Sequence, residues 1–67
     1  MTVEGDALVV SNAGNGSLEM YSIDGRCELH CKLDAGVCRI DLSDCPEGVH
    51  IVVLRNNNGT KVQKILK

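Results

Sequence analysis

Cysteine and histidine are the residues of this sequence whose chemistry most invites a function. The 67-residue chain contains four cysteines and two histidines, a combination that can bind zinc when the ligands are suitably spaced. On a predicted strand, Cys27 and Cys31 lie about 13 Å apart at ~3.3 Å per residue. Two thiolates bound to one zinc ion lie much closer together than that. The spacing therefore argues against a metal site, and no cofactor is expected.

Nucleophilic catalysis is disfavoured by the same geometry. His30 and Cys31 are neighbours in a predicted strand, so their side chains point to opposite faces. His50 belongs to another strand and has apolar neighbours. No positioned base, orienting group and oxyanion donor can be assembled from these residues. We therefore predict no catalytic residues.

The cysteines are better explained as small hydrophobic residues. Cys27, Cys31 and Cys38 are predicted on apolar strand faces, where free cysteine packs like an aliphatic side chain. A disulfide between Cys31 and Cys38 is left as an alternative. A bridge needs Cα atoms within roughly 7 Å, and modest slippage of the predicted register would bring them that close. Cys45 falls in a predicted loop and is the expected exposed thiol.

Alternation of apolar and polar residues divides the chain into short strands. Residues 17–33 read as two strands joined at Asp24-Gly25, a dipeptide preferred where two central turn residues need positive φ. Residues 12–16 are predicted to form another turn, and Pro46 suits a loop over residues 43–48. Other strands are predicted at residues 2–4, 7–11, 37–42, 49–55 and 60–67. Six or seven short strands at this spacing predict an all-β sandwich or partial barrel.

Two details of pairing can also be predicted. A hairpin between residues 27–33 and 37–42 would put six inward residues opposite one another: Leu33 with Cys38, Cys31 with Ile40, and Leu29 with Leu42. The last segment fits helical as well as strand spacing. A hairpin turn at Asn58-Gly59 favours a strand for this segment, with a bulge near Gln63 and Lys64.

Composition narrows the function classes. The net charge of −2 and the absence of a basic cluster argue against nucleic acid as a partner. Tyr21 is the only aromatic residue, which weakens aromatic sugar binding. No stretch is apolar enough to span a membrane, and the first residues do not resemble a signal peptide. The chain is thus expected to be one small domain, either cytoplasmic or cut from a longer protein.

Two Asn-Gly dipeptides also belong to sequence patterns for N-glycosylation. Asn15 begins Asn-Gly-Ser and Asn58 begins Asn-Gly-Thr. Both fall in predicted turns, where Asn-Gly is expected on conformational grounds. We therefore interpret both as turn residues. The lysines of residues 60–67 similarly suit an edge strand that resists aggregation.

Taken in order, several motifs resemble the C-terminal signal domain of type IX secretion cargo from Bacteroidota. The matching segments are residues 18–26 (LEMYSIDGR), 35–36 (AG), 40–42 (IDL), 46–53 (PEGVHIVV), 58–59 (NG) and 64–67 (KILK). The order and spacing of the motifs carry the resemblance, which extends from about Ala7 to Lys67. His50 stands where the family usually has tyrosine, and Ser22 where it often has aspartate.

The resemblance implies a small immunoglobulin-like antiparallel β-sandwich that acts as a non-catalytic sorting signal, with residues 1–67 as a single domain excised from a larger cargo. Its partners would be the outer-membrane translocon, shuttle proteins and a sortase-like signal peptidase. The cargo would pass through the periplasm to the outer membrane, the cell surface or the medium. Lys64, Ile65, Leu66 and Lys67 are the predicted recognition residues. The motif turn residues are Gly25, Arg26, Gly36, Pro46, Gly48 and Gly59.

Other interpretations stay open at this point. An immunoglobulin-like adhesion or carbohydrate-binding module retained at the cell surface has the same strand pattern. A retained domain could sense secretion, and a cytoplasmic metal- or redox-responsive domain is a weaker alternative. A homodimer through the sheet edges also stays open, because exposed strand edges can pair between copies.

Overall fold

Seven strands make up most of the computed structural model, which describes residues 1–12 and 14–67. The predicted turn at residues 12–16 includes Ala13, which lies outside the described residues. The strands are β1 (Thr2–Glu4), β2 (Ala7–Asn12), β3 (Gly16–Ser22), β4 (Cys27–Leu33), β5 (Gly36–Asp41), β6 (Val49–Asn56) and β7 (Gly59–Leu66).

The strands pair into two antiparallel sheets. One sheet has the order β1-β2-β5 and the other has the order β4-β3-β6-β7. The first, second and fifth strands thus share one sheet, while the third, sixth and seventh share the other, as in immunoglobulin-like sandwiches. The predicted all-β sandwich is confirmed. The prediction that residues 49–55 form a central strand is also confirmed, since β6 lies between β3 and β7.

The core lies between the sheets and is aliphatic. Alternate residues of each strand point inward because strand side chains have a period of two. The buried hydrophobic residues are Leu8, Val10, Leu18, Met20, Leu33, Leu42, Val52, Leu54 and Ile65. Cys31, Cys38 and Cys45 are partly buried and pack against them. The predicted role of Cys31 and Cys38 as small hydrophobic residues agrees with this packing, whereas the prediction of Cys45 as the exposed thiol is wrong.

The connection between β3 and β4 differs from the predicted turn. Gly25 donates its backbone N–H to the Ser22 carbonyl at 3.0 Å, and Ser22 donates to the Arg26 carbonyl at 2.9 Å. Gly25 has a φ of 91°, and only glycines among the described residues have positive φ. Asp24 therefore does not adopt the left-handed conformation that a type I′ turn requires. The loop has three residues and ends in glycine, the other common hairpin connection.

A β-bulge changes the face on which Cys27 lies. Met20 pairs with Leu29, whereas the next residue, Tyr21, pairs with Cys27. Glu28 is thus the extra residue on β4, and the alternation of side chains reverses there. The prediction that Cys27 lies on the apolar face is wrong: Cys27 is exposed.

The predicted hairpin between β4 and β5 does not form. β4 pairs with β3, and β5 pairs with β2 in the other sheet. The two residues between β4 and β5 therefore carry the chain from one sheet to the other. The predicted inward face of β5 is correct, since Cys38 and Ile40 point inward. The predicted pairing is wrong, because the apolar residues of β4 lie opposite those of β3 and the apolar residues of β5 lie opposite those of β2.

The last segment is a regular strand. β7 pairs with β6 from Asn56 opposite Gly59 to Val49 opposite Leu66 without a shift in register. The predicted bulge near Gln63 and Lys64 is therefore absent from this pairing, and the helical alternative is excluded for this segment.

Candidate functional site

β7 is one of the two edge strands of the four-stranded sheet, and its two faces have different surroundings. Ile65 pairs with His50 and is buried in the core. Val62 and Leu66 belong to the opposite face and are 63% and 71% exposed. Lys64 lies on that outer face as well and is exposed. The strand is thus held by its inner face and offers its outer face to solvent.

Aliphatic residues continue from β7 onto the neighbouring strand. Leu66 lies opposite Val49, and Val62 lies opposite Val53. Between these two pairs, Lys64 lies opposite Ile51. The resulting outer stripe consists of Val49, Ile51, Val53, Val62, Lys64 and Leu66. Its chemistry suits a partner that contributes apolar contacts and a negative charge.

Lys67 is hydrogen-bonded to the loop that precedes β6. Lys67 donates its backbone N–H to the Gly48 carbonyl at 2.9 Å, and Gly48 donates to the Lys67 carbonyl at 3.4 Å. The Lys67 ammonium group also donates to the Cys45 carbonyl. Of the four predicted recognition residues, Ile65 and Lys67 therefore serve as anchors, while Lys64 and Leu66 face solvent.

A buried polar pair supports the inner side of β7. His50, the cross-strand neighbour of Ile65, places Nδ1 2.5 Å from Glu28 Oε1 and Nε2 2.7 Å from the Pro46 carbonyl oxygen. A carbonyl oxygen only accepts hydrogen bonds, so Nε2 is the donor to Pro46. Nδ1 lies within hydrogen-bond distance of the Glu28 carboxyl. The bulge in β4 positions Glu28 for this contact.

The same end of the sandwich contains Cys45. Burial raises the pKa of the Cys45 thiol, and the nearby Glu28 carboxylate raises it further. The cysteine nucleophile of an enzyme needs the opposite shift. The two ring nitrogens of His50 already contact Glu28 and Pro46. His50 therefore serves the packing of the sandwich end, in agreement with its buried position.

The predicted turn residues lie at strand connections. Gly25, Gly36, Gly48 and Gly59 all have positive φ. Arg26 closes the loop between β3 and β4 through its carbonyl group. Pro46 is exposed, and its carbonyl accepts the His50 hydrogen bond. These residues shape the connections and lie apart from the outer face of β7.

The outer face of the same sheet also contains the only aromatic residue of the sequence. Tyr21 donates its hydroxyl to Glu19 Oε2 at 2.7 Å, and Glu19 also forms an ion pair with Arg55. Tyr21 is half-buried and committed to this contact. The Tyr21 hydroxyl thus joins the Glu19–Arg55 ion pair on the outer face.

A shallow depression of about 190 Å³ lies at the β6–β7 hairpin, below the ~300 Å³ of the smallest typical ligand pockets. Its lining consists of Leu54, Asn56, Asn58, Gly59, Thr60 and Lys61. In residues 1–12 and 14–67, no three histidine, cysteine or acidic side chains gather as metal ligands. Nor does any helix in these ranges have the length and apolar character to cross a membrane.

Sequence reasoning missed several residues of this surface. Val62 extends the outer stripe, and Val49 pairs with Leu66. Val62 and Leu66 are four residues apart, a spacing that places them on one face of a strand. Val49 would join that face once β6 and β7 were recognised as a hairpin. Glu28 gave no such signal, because its inward position depends on the bulge.

Comparison with protein-family models, curated proteins and solved structures gives no match for this chain.

Proposed function

We propose that this chain is the C-terminal sorting domain of a type IX secretion cargo and directs that cargo across the outer membrane. The observation that carries the proposal is the division of β7 into two faces. Ile65 fixes the strand in the core, while Val62 and Leu66 remain largely exposed. A partner can therefore bind the outer face of β7 without disturbing the packing of the inner face.

The mode of recognition follows from the position of β7 in its sheet. An edge strand offers backbone groups to a partner strand, and alternate side chains supply specificity. Here the alternate side chains are Val62, Lys64 and Leu66. The translocon and its shuttle proteins would bind this edge, and a sortase-like peptidase would act after export. The domain itself contributes no catalytic residue.

A reporter fusion tests the proposal. Residues 1–67 are placed at the C-terminus of a secreted reporter with its own signal peptide, in a Bacteroidota host that has type IX secretion. We expect the reporter to reach the cell surface or the medium, measured by antibody labelling of intact cells and by blotting of culture supernatant. In an isogenic strain without the translocon, the reporter should accumulate in the periplasm.

The matched control is the same fusion without residues 64–67. It should remain in the periplasm of the competent host. Equal surface display with and without these residues would contradict recognition through β7. Periplasmic retention of the intact fusion in the competent host would contradict the sorting function itself, and would favour a module that acts on a protein exported by another route.

A further inference from the structure

The crossing from β4 to β5 brings two cysteines to equivalent positions on facing sheets. β4 is an edge strand of one sheet and β5 is an edge strand of the other. Cys31 lies two residues before the end of β4 at Leu33, and Cys38 lies two residues after the start of β5 at Gly36. Since only two residues connect the strands, the cysteines are equally far from the crossing.

Both side chains point into the space between the sheets. Cys31 pairs with Leu18, and Cys38 pairs with Val10. Leu18 and Val10 are fully buried core residues, and directly paired residues share a face of their sheet. Both cysteines are partly buried and pack against the core.

The direction of the Cys31 pKa shift agrees with this placement. Burial raises the pKa of the Cys31 thiol, and a negative charge on Cys38 raises it further. The Cys38 thiol lies 3.5 Å from the carbonyl oxygen of Asp34, in the crossing itself. Cys27 lies on the other face of β4, and Cys45 lies in the loop after β5, so neither has this relation to Cys31.

We propose that Cys31 and Cys38 form a redox pair that closes into a disulfide between the two sheets. With glutathione disulfide as oxidant, the Cys38 thiolate attacks one sulfur and releases one glutathione thiolate. The Cys31 thiolate then attacks the mixed disulfide and releases the second glutathione. The protein loses two protons and two electrons, and one glutathione disulfide becomes two glutathione molecules. This inference does not depend on the proposed sorting function.

The pair is suited to an oxidising compartment. Both thiols are free in the structure. Closure would link the edge strands of the two sheets beside their crossing. A disulfide stabilises by restricting the unfolded chain, and we expect the oxidised protein to unfold on the order of 10 °C above the reduced protein.

Mass spectrometry of the 67-residue protein after incubation with glutathione disulfide tests the proposal. We expect proteolytic peptides of the wild-type protein to contain Cys31 linked to Cys38, and the mass of the Cys27→Ser, Cys45→Ser variant to fall by two hydrogens. A variant with Cys27→Ser and Cys45→Ser should still form this link. The single variants Cys31→Ser and Cys38→Ser should instead retain a glutathione adduct on the remaining partner or stay reduced.

Circular dichroism of each variant confirms that the sheet content is retained before oxidation. Failure of the Cys27→Ser, Cys45→Ser variant to close under saturating oxidant would overturn the proposal. A link that maps to Cys27 or Cys45 in the wild-type chain would also overturn it. Because the wild-type peptides are mapped directly, the result does not depend on the folding of any variant.

Discussion

At the scale of single residues, His50 and Glu28 show how a polar pair can replace apolar packing. His50 is only 3% exposed, and burial of its ring is tolerated because both nitrogens contact oxygen atoms. The sequence indicated a histidine among apolar neighbours. It could not identify Glu28 as the partner, since the two residues are 22 positions apart and meet only because a bulge turns Glu28 inward.

Loss of either member should destabilise the fold. In Glu28→Ala the Nδ1 of His50 loses its partner, and we expect a loss of about 1–3 kcal/mol in the free energy of unfolding. In His50→Ala the carboxyl group of Glu28 and the Pro46 carbonyl lose theirs. Urea unfolding followed by circular dichroism measures both. The control Glu47→Ala removes an exposed carboxylate and should change stability by less than about 0.5 kcal/mol. Equal stability of all three variants would contradict this role for the pair.

Asp41 provides a test of local electrostatics. The backbone N–H of Ser43 donates to Asp41 Oδ1 at 2.9 Å, and this bond lowers the pKa of the Asp41 carboxyl. A lowered pKa stabilises the fold above the unfolded value of about 3.9. That contribution is lost as the pH falls through the lowered pKa.

The Asp41 titration can be followed by NMR of its carboxyl carbon. We expect a pKa below that of the same residue in the urea-unfolded chain. The Ser43 side chain also hydrogen-bonds to Asp41 and lowers its pKa. The Ser43→Ala variant removes this bond but keeps the backbone donor, so its Asp41 pKa should rise only partway. A folded value equal to the unfolded value would show that the hydrogen bond does not persist in solution.

At the scale of elements, the strands were predictable because their alternation is local. The inward faces of β3, β5 and β6 follow directly from residues such as Met20, Ile40 and Val52. The pairing of β4 with β5 was not predictable in this way. A hairpin and a crossing between sheets bury the same alternate residues, so the pattern alone cannot distinguish them. The Asp24-Gly25 turn also admits two loop lengths, and the bulge at Glu28 depends on which one forms.

The two faces of β7 predict different effects for neighbouring residues. Ile65→Ala removes a buried side chain and should cost about 2–4 kcal/mol of unfolding free energy. Leu66→Ala removes an exposed one and should change it by less than about 0.5 kcal/mol. Equilibrium urea unfolding of the two variants provides the comparison. Comparable losses would mean that Leu66 packs into the core, and the outer stripe would then not exist as described.

At the scale of the whole molecule, the fold separates stability from an accessible surface. The Cα radius of gyration is 11.1 Å, close to the ~11 Å expected for a compact domain of this length. The core is enclosed between the sheets, and loops at their ends contain much of the acidic charge. The proposed sorting function rests on the sequence resemblance, and β7 offers an exposed face on which recognition can act.

Surface display of an outer-face variant tests the central claim most directly. The variant combines Lys64→Glu with Leu66→Ser on the reporter fusion. Its control combines Lys32→Glu with Val37→Ser, which change an exposed lysine and an exposed aliphatic residue elsewhere. Urea unfolding should show that both variants fold as stably as the wild type. We predict that the β7 variant stays in the periplasm while the control reaches the cell surface. Full display of the β7 variant would contradict the account.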